Sequence, residues 1–499
     1  MIERLWDMVE RAPAASEAVA DRETRLDYRQ FRALIRTVAA ALIDRGVQSG
    51  DRVAVLAPPG IFAWASFLAT AAIGGIWLGL NPRYRLPELA SAIRDAEPAM
   101  LLACADDLPD LFPPTPGFRP SMGLVSAPSE PELTAALIAG GLASEAVLDA
   151  RIGQTMPDQP CLIVYTSGST GRPKGALLHQ RGICRFAQTQ NRLWPVRAFR
   201  ILNFLPINHI GNLVDIGAAA LAAGGFQRFE PTFHPRDALQ TMADERVTIW
   251  GSVPTVFRMQ LDLPDFDRFD LSSVELIVWG GAAMPAPLIP RLAAICPRLA
   301  TNYGMTETSS AITSLGPTAE VDLLARSVGA PFPGVDVRLD PETGEILARS
   351  GQNFCGYWRD PAATAAAFTA DGFFRTGDAG AWLEDGTLQL VGRVKFMFKS
   401  GGYNIWPAEI EAVLADHPDI LEAAVVATPD PVWQEVGVAF VVTARPVAPG
   451  ALDAWCRERL ANYKIPKRFI TCDALPMLPI GKVDRAALGV SARESAAGH

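Results

Sequence analysis

Residues 61–80 (IFAWASFLATAAIGGIWLGL) run for twenty positions without a charge. A stretch of that length either crosses a bilayer or is enclosed by its own protein. Gly74 and Gly75 break it into a small-residue helix and a short apolar strand over 76–80, which ends at Asn81-Pro82. With Pro58-Pro59 just upstream and no second such run, the pattern predicts a buried helix, turn and strand that need no lipid.

The same alternation recurs. Residues 28–46 have helical spacing, 52–57 (RVAVLA) read as a buried strand, and 248–250 and 276–278 read as further short strands beside helices. The expected class is α/β with a largely parallel sheet. Residues 106–132, rich in Pro, Asp and Ser, read as a surface loop, and neither an internal repeat nor a low-complexity tract appears. Beyond about 340 the texture changes to antiparallel hairpins, with Asp385-Gly386 as a turn dipeptide between alternating segments. After Arg393 a compact mixed segment follows, with helices over 407–415 and 452–460 and strands near 423–427 and 437–443. A domain boundary is expected near Lys395, giving a large domain over 1–394 and a small α+β domain over 395–499.

Composition narrows the function. The 499 residues are 49% hydrophobic and 20% charged, enough to bury large cores, and at least two domains are expected. The net charge of −9 argues against a nucleic-acid or polybasic membrane-surface role, so any anionic ligand must be met by a local site. The seven cysteines are scattered without zinc spacing, and the amino terminus lacks the pattern of a secretory signal. A cytoplasmic protein is expected.

Residues 161–175 (CLIVYTSGSTGRPKG) run an apolar strand into a Thr/Ser/Gly loop that ends in a lysine. Backbone N–H groups there, with the hydroxyls of Thr166, Ser167, Ser169 and Thr170, suit phosphate oxygens, and Lys174 adds a mobile positive charge. The spacing is not that of a Walker loop, since Pro173 precedes Lys174 and no Ser or Thr follows, nor is it a nucleophile elbow. Alone, such a turn is no more than a flexible surface loop.

Four further segments follow in order: 303–308 (YGMTET), 376–378 (TGD), 392–409 (GRVKFMFKSGGYNIWPAE) and 479–485 (PIGKVDR). Together the five resemble the signature segments of the adenylate-forming superfamily, which includes acyl-CoA synthetases, adenylation domains of peptide synthetases and luciferases. The resemblance spans almost the whole chain. It implies an ATP-dependent activation of a carboxylic acid to an acyl-adenylate, with release of pyrophosphate, followed by transfer of the acyl group to an acceptor.

What the resemblance implies for single residues matches what the chemistry requires. The loop Thr166, Ser167, Gly168, Ser169, Thr170 and Gly171 with Lys174 would cradle phosphates; Glu307, helped by Thr170, would hold magnesium; Lys482 would bridge carboxylate and α-phosphate. Gly280, Gly281, Ala282 and Tyr303 resemble the residues around the adenine, continued by Gly304, Met305 and Thr306. Asp378 resembles the acid that accepts both ribose hydroxyls, and Arg393 the base that assists it. Residues 205–213 (LPINHIGNL) resemble the segment whose histidine, here His209, lies beside the reacting carboxyl group; Asn208, Asn212, Trp250, Val253 and Trp279 would wall the acyl pocket if they face inward.

Only six residues are lysine (Lys174, Lys395, Lys399, Lys464, Lys467 and Lys482), which leaves 45 − 6 = 39 of the basic residues as arginine. Four of the six lie in the motifs, where a compact ammonium differs from a guanidinium fork. The second substrate is expected to be CoA, because Lys399, Ser400, Gly401, Gly402 and Tyr403 resemble the acyl-CoA synthetase form of the pantetheine path. Lys395 fits the hinge about which the family's small domain rotates between half-reactions; Phe396 departs from relatives that carry an acid there. No basic cluster awaits a second carboxylate, so an apolar aromatic or medium-chain monoacid is expected. The implied cofactors and partners are ATP, Mg2+, CoA and a small carboxylic acid, with no nucleic acid, no integral membrane span and a homodimer left open. A ligase that loads a carrier protein, and a catalytically silent nucleotide-binding regulator, are the competing readings.

Overall fold

The computed structural model describes residues 1–105, 123–166, 173–477 and 483–497. The chain divides into two compact units: Met1–Asp336 with Ala348–Phe374, and Val337–Leu347 with Arg375–His499. Lys395 lies inside the second unit.

The first unit is built on two sheets. In one, the strands run in the order Gly356–Tyr357, Lys174–His179, Pro160–Thr166, Ile76–Leu80, Arg52–Leu56, Met100–Cys104 and Gly123–Ala127. The last five are mutually parallel, and Lys174–His179 returns antiparallel to Pro160–Thr166. The other sheet has at its centre the parallel strands Leu299–Met305, Leu276–Trp279, Ile249–Ser252, Arg200–Asn203 and Phe226–Phe229. Strands buried on both faces carry no alternation, which is why they read as continuous apolar runs.

The uncharged stretch resolves as a helix, Ile61–Ala72, a turn at Gly74 with φ +77°, and the strand Ile76–Leu80. All twelve helix residues are buried, and burying each large side chain contributes about 1.5–3 kcal/mol. The polar atoms on this path pair internally: Thr70 Oγ1 donates to the Ser66 carbonyl at 2.7 Å, and Trp77 Nε1 donates to Ser66 Oγ at 3.0 Å. Glu130 caps the helix start, its Oε2 accepting from Phe62 N at 3.0 Å. A Cβ at Gly60 would overlap the Glu130 carboxylate and displace it from this cap. Among the described residues no helix is long and apolar enough to cross a membrane.

The reading of 106–132 as a loop is corrected in its second half. Residues 106–122 lie outside the described residues, but Gly123–Ala127 is an edge strand parallel to Met100–Cys104, and Glu130–Ile138 is a helix capped by Ser129. An edge strand half open to solvent has a mixed sequence, so GLVSA gives no local apolar signal.

Val335–Leu339, Glu345–Ser350, Phe374–Trp382 and Leu388–Arg393 form one sheet, most of whose residues belong to the second unit, with the turn at Gly386 (φ +78°) where the dipeptide predicted it. The other sheet orders Tyr403–Ile405, Phe398–Ser400, Gln434–Thr443 and Ile420–Asp430, with Arg468–Thr471 parallel to Gln434–Thr443. Helix Pro407–Ala415 matches its expected span, and the next helix, Pro449–Arg457, starts three residues before expectation because Pro449 suits a first turn.

Candidate active site

Four neighbouring parallel strands end on one side of the larger sheet, and the expected residues follow directly from those ends. Residues 205–213 follow Arg200–Asn203, Val253 follows Ile249–Ser252, Gly280 to Ala282 follow Leu276–Trp279, and Tyr303 to Glu307 close Leu299–Met305. The carboxyl ends of parallel strands are where open α/β sheets bind ligands.

His209 is exposed, and the chain after it continues as a π-helix, Gly211–Ala218, a conformation that concentrates at functional sites. Asn208 is buried and donates from Nδ2 to Tyr84 Oη at 2.8 Å. Asn212 is also buried; its Nδ2 donates to Asn203 Oδ1 at 3.0 Å and to the Leu205 carbonyl at 2.5 Å. Its amide therefore holds the segment in shape. Val253, Gly281 and Ala282 are exposed, whereas Trp250 and Trp279 lie in the core of the unit and Trp250 Nε1 donates to Gln260 Oε1 at 3.2 Å. Tyr303 is nearly buried. Gly304 admits no side chain, since a Cβ would overlap the Ser310 carbonyl on the paired strand.

The Gly/Ser-rich segment begins where strand Pro160–Thr166 ends, and the next described strand starts at Lys174, which stands directly opposite Thr166. Ser167, Gly168, Ser169, Thr170 and Gly171 lie outside the described residues, as does Lys482. The hydroxyls of Thr166 and Tyr357 meet at one carboxylate. Glu307 Oε1 accepts from Thr166 Oγ1 at 3.3 Å and from Tyr357 Oη at 3.0 Å, while Lys174 Nζ sits 5.0 Å from the centre of the Tyr357 ring. Burial and the adjacent Glu307 raise the Tyr357 pKa, so the phenol stays protonated and donates.

Glu307 is held by its own turn. Thr306–Thr308 is a single 3₁₀ turn in which Met305 N donates to Thr308 Oγ1 at 3.0 Å and Thr308 Oγ1 donates to the Ser310 carbonyl at 2.6 Å. Phe354 N donates to the Glu307 carbonyl at 2.8 Å. Ser309 and Ser310 take φ of +49° and +94°, a backbone conformation that non-glycine residues adopt at a cost of roughly 1–3 kcal/mol. The Ser310 hydroxyl donates to Asp215 on the π-helix, which offsets part of that cost, and burial raises the Asp215 carboxyl to a pKa of about 6.

This donor set suits magnesium. Both hydroxyls engage the same oxygen of Glu307, and no described residue donates to Oε2. Among the described residues no three His, Cys, Asp or Glu side chains converge as an all-protein cage. Magnesium is bound in that manner, through one or two carboxylates plus substrate phosphates.

The second unit presents its own set. Asp378 and Arg393 are direct partners across antiparallel strands, with Nε 2.7 Å from Oδ1. Gly377 (φ +70°) makes the bend before Asp378, and Thr376 Oγ1 accepts from Asp378 N at 3.1 Å. Ser400 and Tyr403 are opposed across a two-residue turn in which Gly401 and Gly402 take φ of +56° and +86°, the hairpin conformation that glycine favours. Lys399 is exposed, and Lys395 lies on an exposed 3₁₀ turn, Val394–Phe396, its Nζ 4.8 Å from the Phe396 ring centre.

Tyr357 and the aromatic partners of the glycine hairpin, Tyr463 and Trp433, escaped the sequence reading. Tyr357 carries no local motif chemistry. The exposed Tyr403 ring stacks on Tyr463 at 4.3 Å, Trp433 packs against Gly401, and Lys464 and Lys467 each stand 5.8 Å from an aromatic ring of this face. The persistence of lysine at 464 and 467 in an arginine-rich chain was the available signal.

Residues 5–358 match the model of the AMP-binding enzyme family, and residues 409–482 match that of the AMP-binding enzyme C-terminal domain. The chain is 34% identical over 482 residues to the indoleacetate-CoA ligase of Aromatoleum aromaticum, covering 92% of each chain. It is 34% identical over 499 residues to the feruloyl-CoA synthase of an Amycolatopsis species, covering 95% of this chain and 96% of the relative. Among solved structures, ATP-bound MatB from Rhodopseudomonas palustris superposes with a TM-score of 0.82 at 29% identity, covering 98% of this chain and 99% of that one.

Proposed function

The chain belongs to the AMP-binding enzyme family, in the acyl-CoA synthetase branch of the adenylate-forming superfamily, and on that premise we propose that it converts an apolar monocarboxylic acid to its CoA thioester in two steps at the expense of ATP. The observation that carries this reading is that Thr166, at one end of the Gly/Ser segment, meets Glu307 from a separate strand end, while Lys174, at the other end, stands over the ring of Tyr357, whose hydroxyl meets the same carboxylate.

In the first step a carboxylate oxygen attacks the α-phosphorus, the α–β bridging bond breaks, and pyrophosphate leaves. Lys174 neutralises phosphate charge and the loop from Thr166 to Thr170 donates to phosphate oxygens, Glu307 with Thr170 would hold the cation, and Lys482 bridges the two anions, which would otherwise repel. Magnesium, when bound, screens the phosphates of the leaving pyrophosphate. Asp378 accepts the two ribose hydroxyls, and Arg393, 2.7 Å away, orients its carboxylate for it. Gly280, Gly281, Ala282 and the segment 303–306 receive the adenine. In the second step the thiolate of CoA attacks the carbonyl carbon of the adenylate, and the bond to AMP breaks.

His209 would orient the carboxyl group, with the exposed Val253 and the segment that Asn208 and Asn212 hold in shape on the acyl side; Trp279, turned to the core, takes no part. CoA as acceptor is supported by the glycine hairpin Ser400–Tyr403 beside an exposed aromatic and lysine face, and by relatives named as CoA ligases; these give the carrier-protein reading no support. Two relatives named for aromatic acids favour an aromatic substrate. The division of labour between 1–394 and 395–499, with Lys395 as pivot, concerns motion between the two steps. All seven cysteines are unpaired, which supports a reducing cytoplasmic setting.

Incubation with ATP, Mg2+, CoA and a panel of acids (indole-3-acetate, ferulate, octanoate and the diacid malonate) tests the reading. AMP and acyl-CoA should appear in equal amounts, with malonate the poorest substrate. Adenylate that accumulates whether or not CoA is present would instead point to a carrier protein, and absence of AMP with every acid would contradict the reading.

A further inference from the structure

Tyr357 is fixed at every point except its function. Its strand pairs with Lys174–His179, placing Tyr357 opposite Ala176, and its backbone N donates to Thr364 Oγ1 at 2.8 Å. The ring packs edge-on against Phe354 at 4.9 Å, and Phe354 in turn stacks with Phe368 at 5.8 Å. A side chain held only for packing would bury its hydroxyl in that cluster or turn it to water. Here the hydroxyl reaches Glu307 Oε1, and the ring face receives the Lys174 ammonium.

Two consequences follow from elementary chemistry. Tyr357 and Thr166 donate to the same carboxylate oxygen, so the carboxylate cannot rotate without breaking two hydrogen bonds, and its other oxygen stays directed away from both. An ammonium drawn to a fixed aromatic face loses part of its freedom before phosphate arrives.

We propose that Tyr357 is a positioning residue for both charged groups of the nucleotide site: its hydroxyl sets the orientation in which Glu307 meets the divalent cation, and its ring places Lys174 for the phosphates. This rests on the assignment of Glu307 to the cation. The residue acts through these two neighbours.

Manganese binding, followed by electron paramagnetic resonance in the presence of a non-hydrolysable ATP analogue, separates the readings without turnover. Tyr357→Phe keeps the ring and removes one oxygen; it should weaken Mn2+ binding about 10- to 100-fold, the usual effect of removing a partner that orients a metal ligand. Its affinity for AMP, which needs no metal, should stay within about twofold. Tyr357→Leu should in addition raise the KM for ATP at saturating Mg2+, because the platform for Lys174 is lost. Equal losses of AMP and Mn2+ affinity in Tyr357→Phe would reduce the residue to a structural role and overturn the proposal. Wild-type Mn2+ affinity in Tyr357→Phe, with loss in Glu307→Gln, overturns the proposal but leaves Glu307 as the cation ligand. Unchanged Mn2+ affinity in Glu307→Gln removes the premise and the proposal together.

Discussion

Arg393 and Asp378 face each other across antiparallel strands with Nε 2.7 Å from Oδ1, the carboxylate largely buried and the guanidinium half exposed. The pair spans the join between a bend at Gly377 and the strand end at Arg393, so the carboxylate is aimed by the backbone as well as by its partner. If its task is to accept ribose hydroxyls, Asp378→Asn should raise the KM for ATP roughly 10- to 100-fold, the worth of one or two charge-assisted hydrogen bonds. The parent should discriminate between ATP and 2′,3′-dideoxy-ATP by a similar factor, and the variant should not. Discrimination that survives the substitution would remove Asp378 from the ribose.

Lys482→Ala should slow adenylate formation by roughly 10²- to 10⁴-fold, because the lost ammonium acts where negative charge develops. Consumption of a supplied acyl-adenylate by CoA should change little. Rapid-quench measurement of each half-reaction decides; equal losses in both, with the fold intact, would mean that the lysine has another role.

Lys395→Pro would hold φ near −65° and oppose rotation of the segment beyond it. One half-reaction, expected to be adenylation, should remain near normal while thioester formation slows. Single-turnover rates with and without CoA are the readout, and uniform change or none would remove residue 395 as the pivot.

Much of this architecture is legible in local sequence because its signals are local. The glycine pair at 74–75 divides the uncharged run where the structure turns, and Asp385-Gly386 lies at the tip of its hairpin. What fails to show is what depends on partners distant in the chain. GLVSA at 123–127 becomes a strand because Met100–Cys104 presents an edge to it. Trp250 and Trp279 stand on parallel strands covered on both faces, so alternation does not reveal that they turn to the core. Tyr357 gains its hydroxyl contact only because a two-residue edge strand brings it 50 positions back to Glu307.

A pH effect on stability is expected at the start of the buried helix Ile61–Ala72. Burial raises the Glu130 carboxyl to a pKa of about 7, against the usual carboxylate range near 4. The folded state then binds more protons than the unfolded state between those values. Stability contributed by the protonated form is complete below the unfolded pKa and is lost as pH rises through about 7. Glu130→Gln should therefore leave stability nearly unchanged at pH 4.5 and increase it by roughly 1–3 kcal/mol at pH 8. Denaturant unfolding of both proteins at the two pH values checks this, and a difference of the same size and sign at both would assign the effect to something other than titration.

Activation of the acid as an acyl-adenylate before CoA attacks leaves an isotopic record, read by supplying the preferred acid with both carboxyl oxygens as 18O and examining the products by mass spectrometry after one turnover. One 18O is expected in AMP and one in the thioester carbonyl, because the attacking oxygen stays on phosphorus when the C–O bond breaks. Label in inorganic phosphate with ADP as the nucleotide product, or thioester formed with no label in AMP, would contradict it.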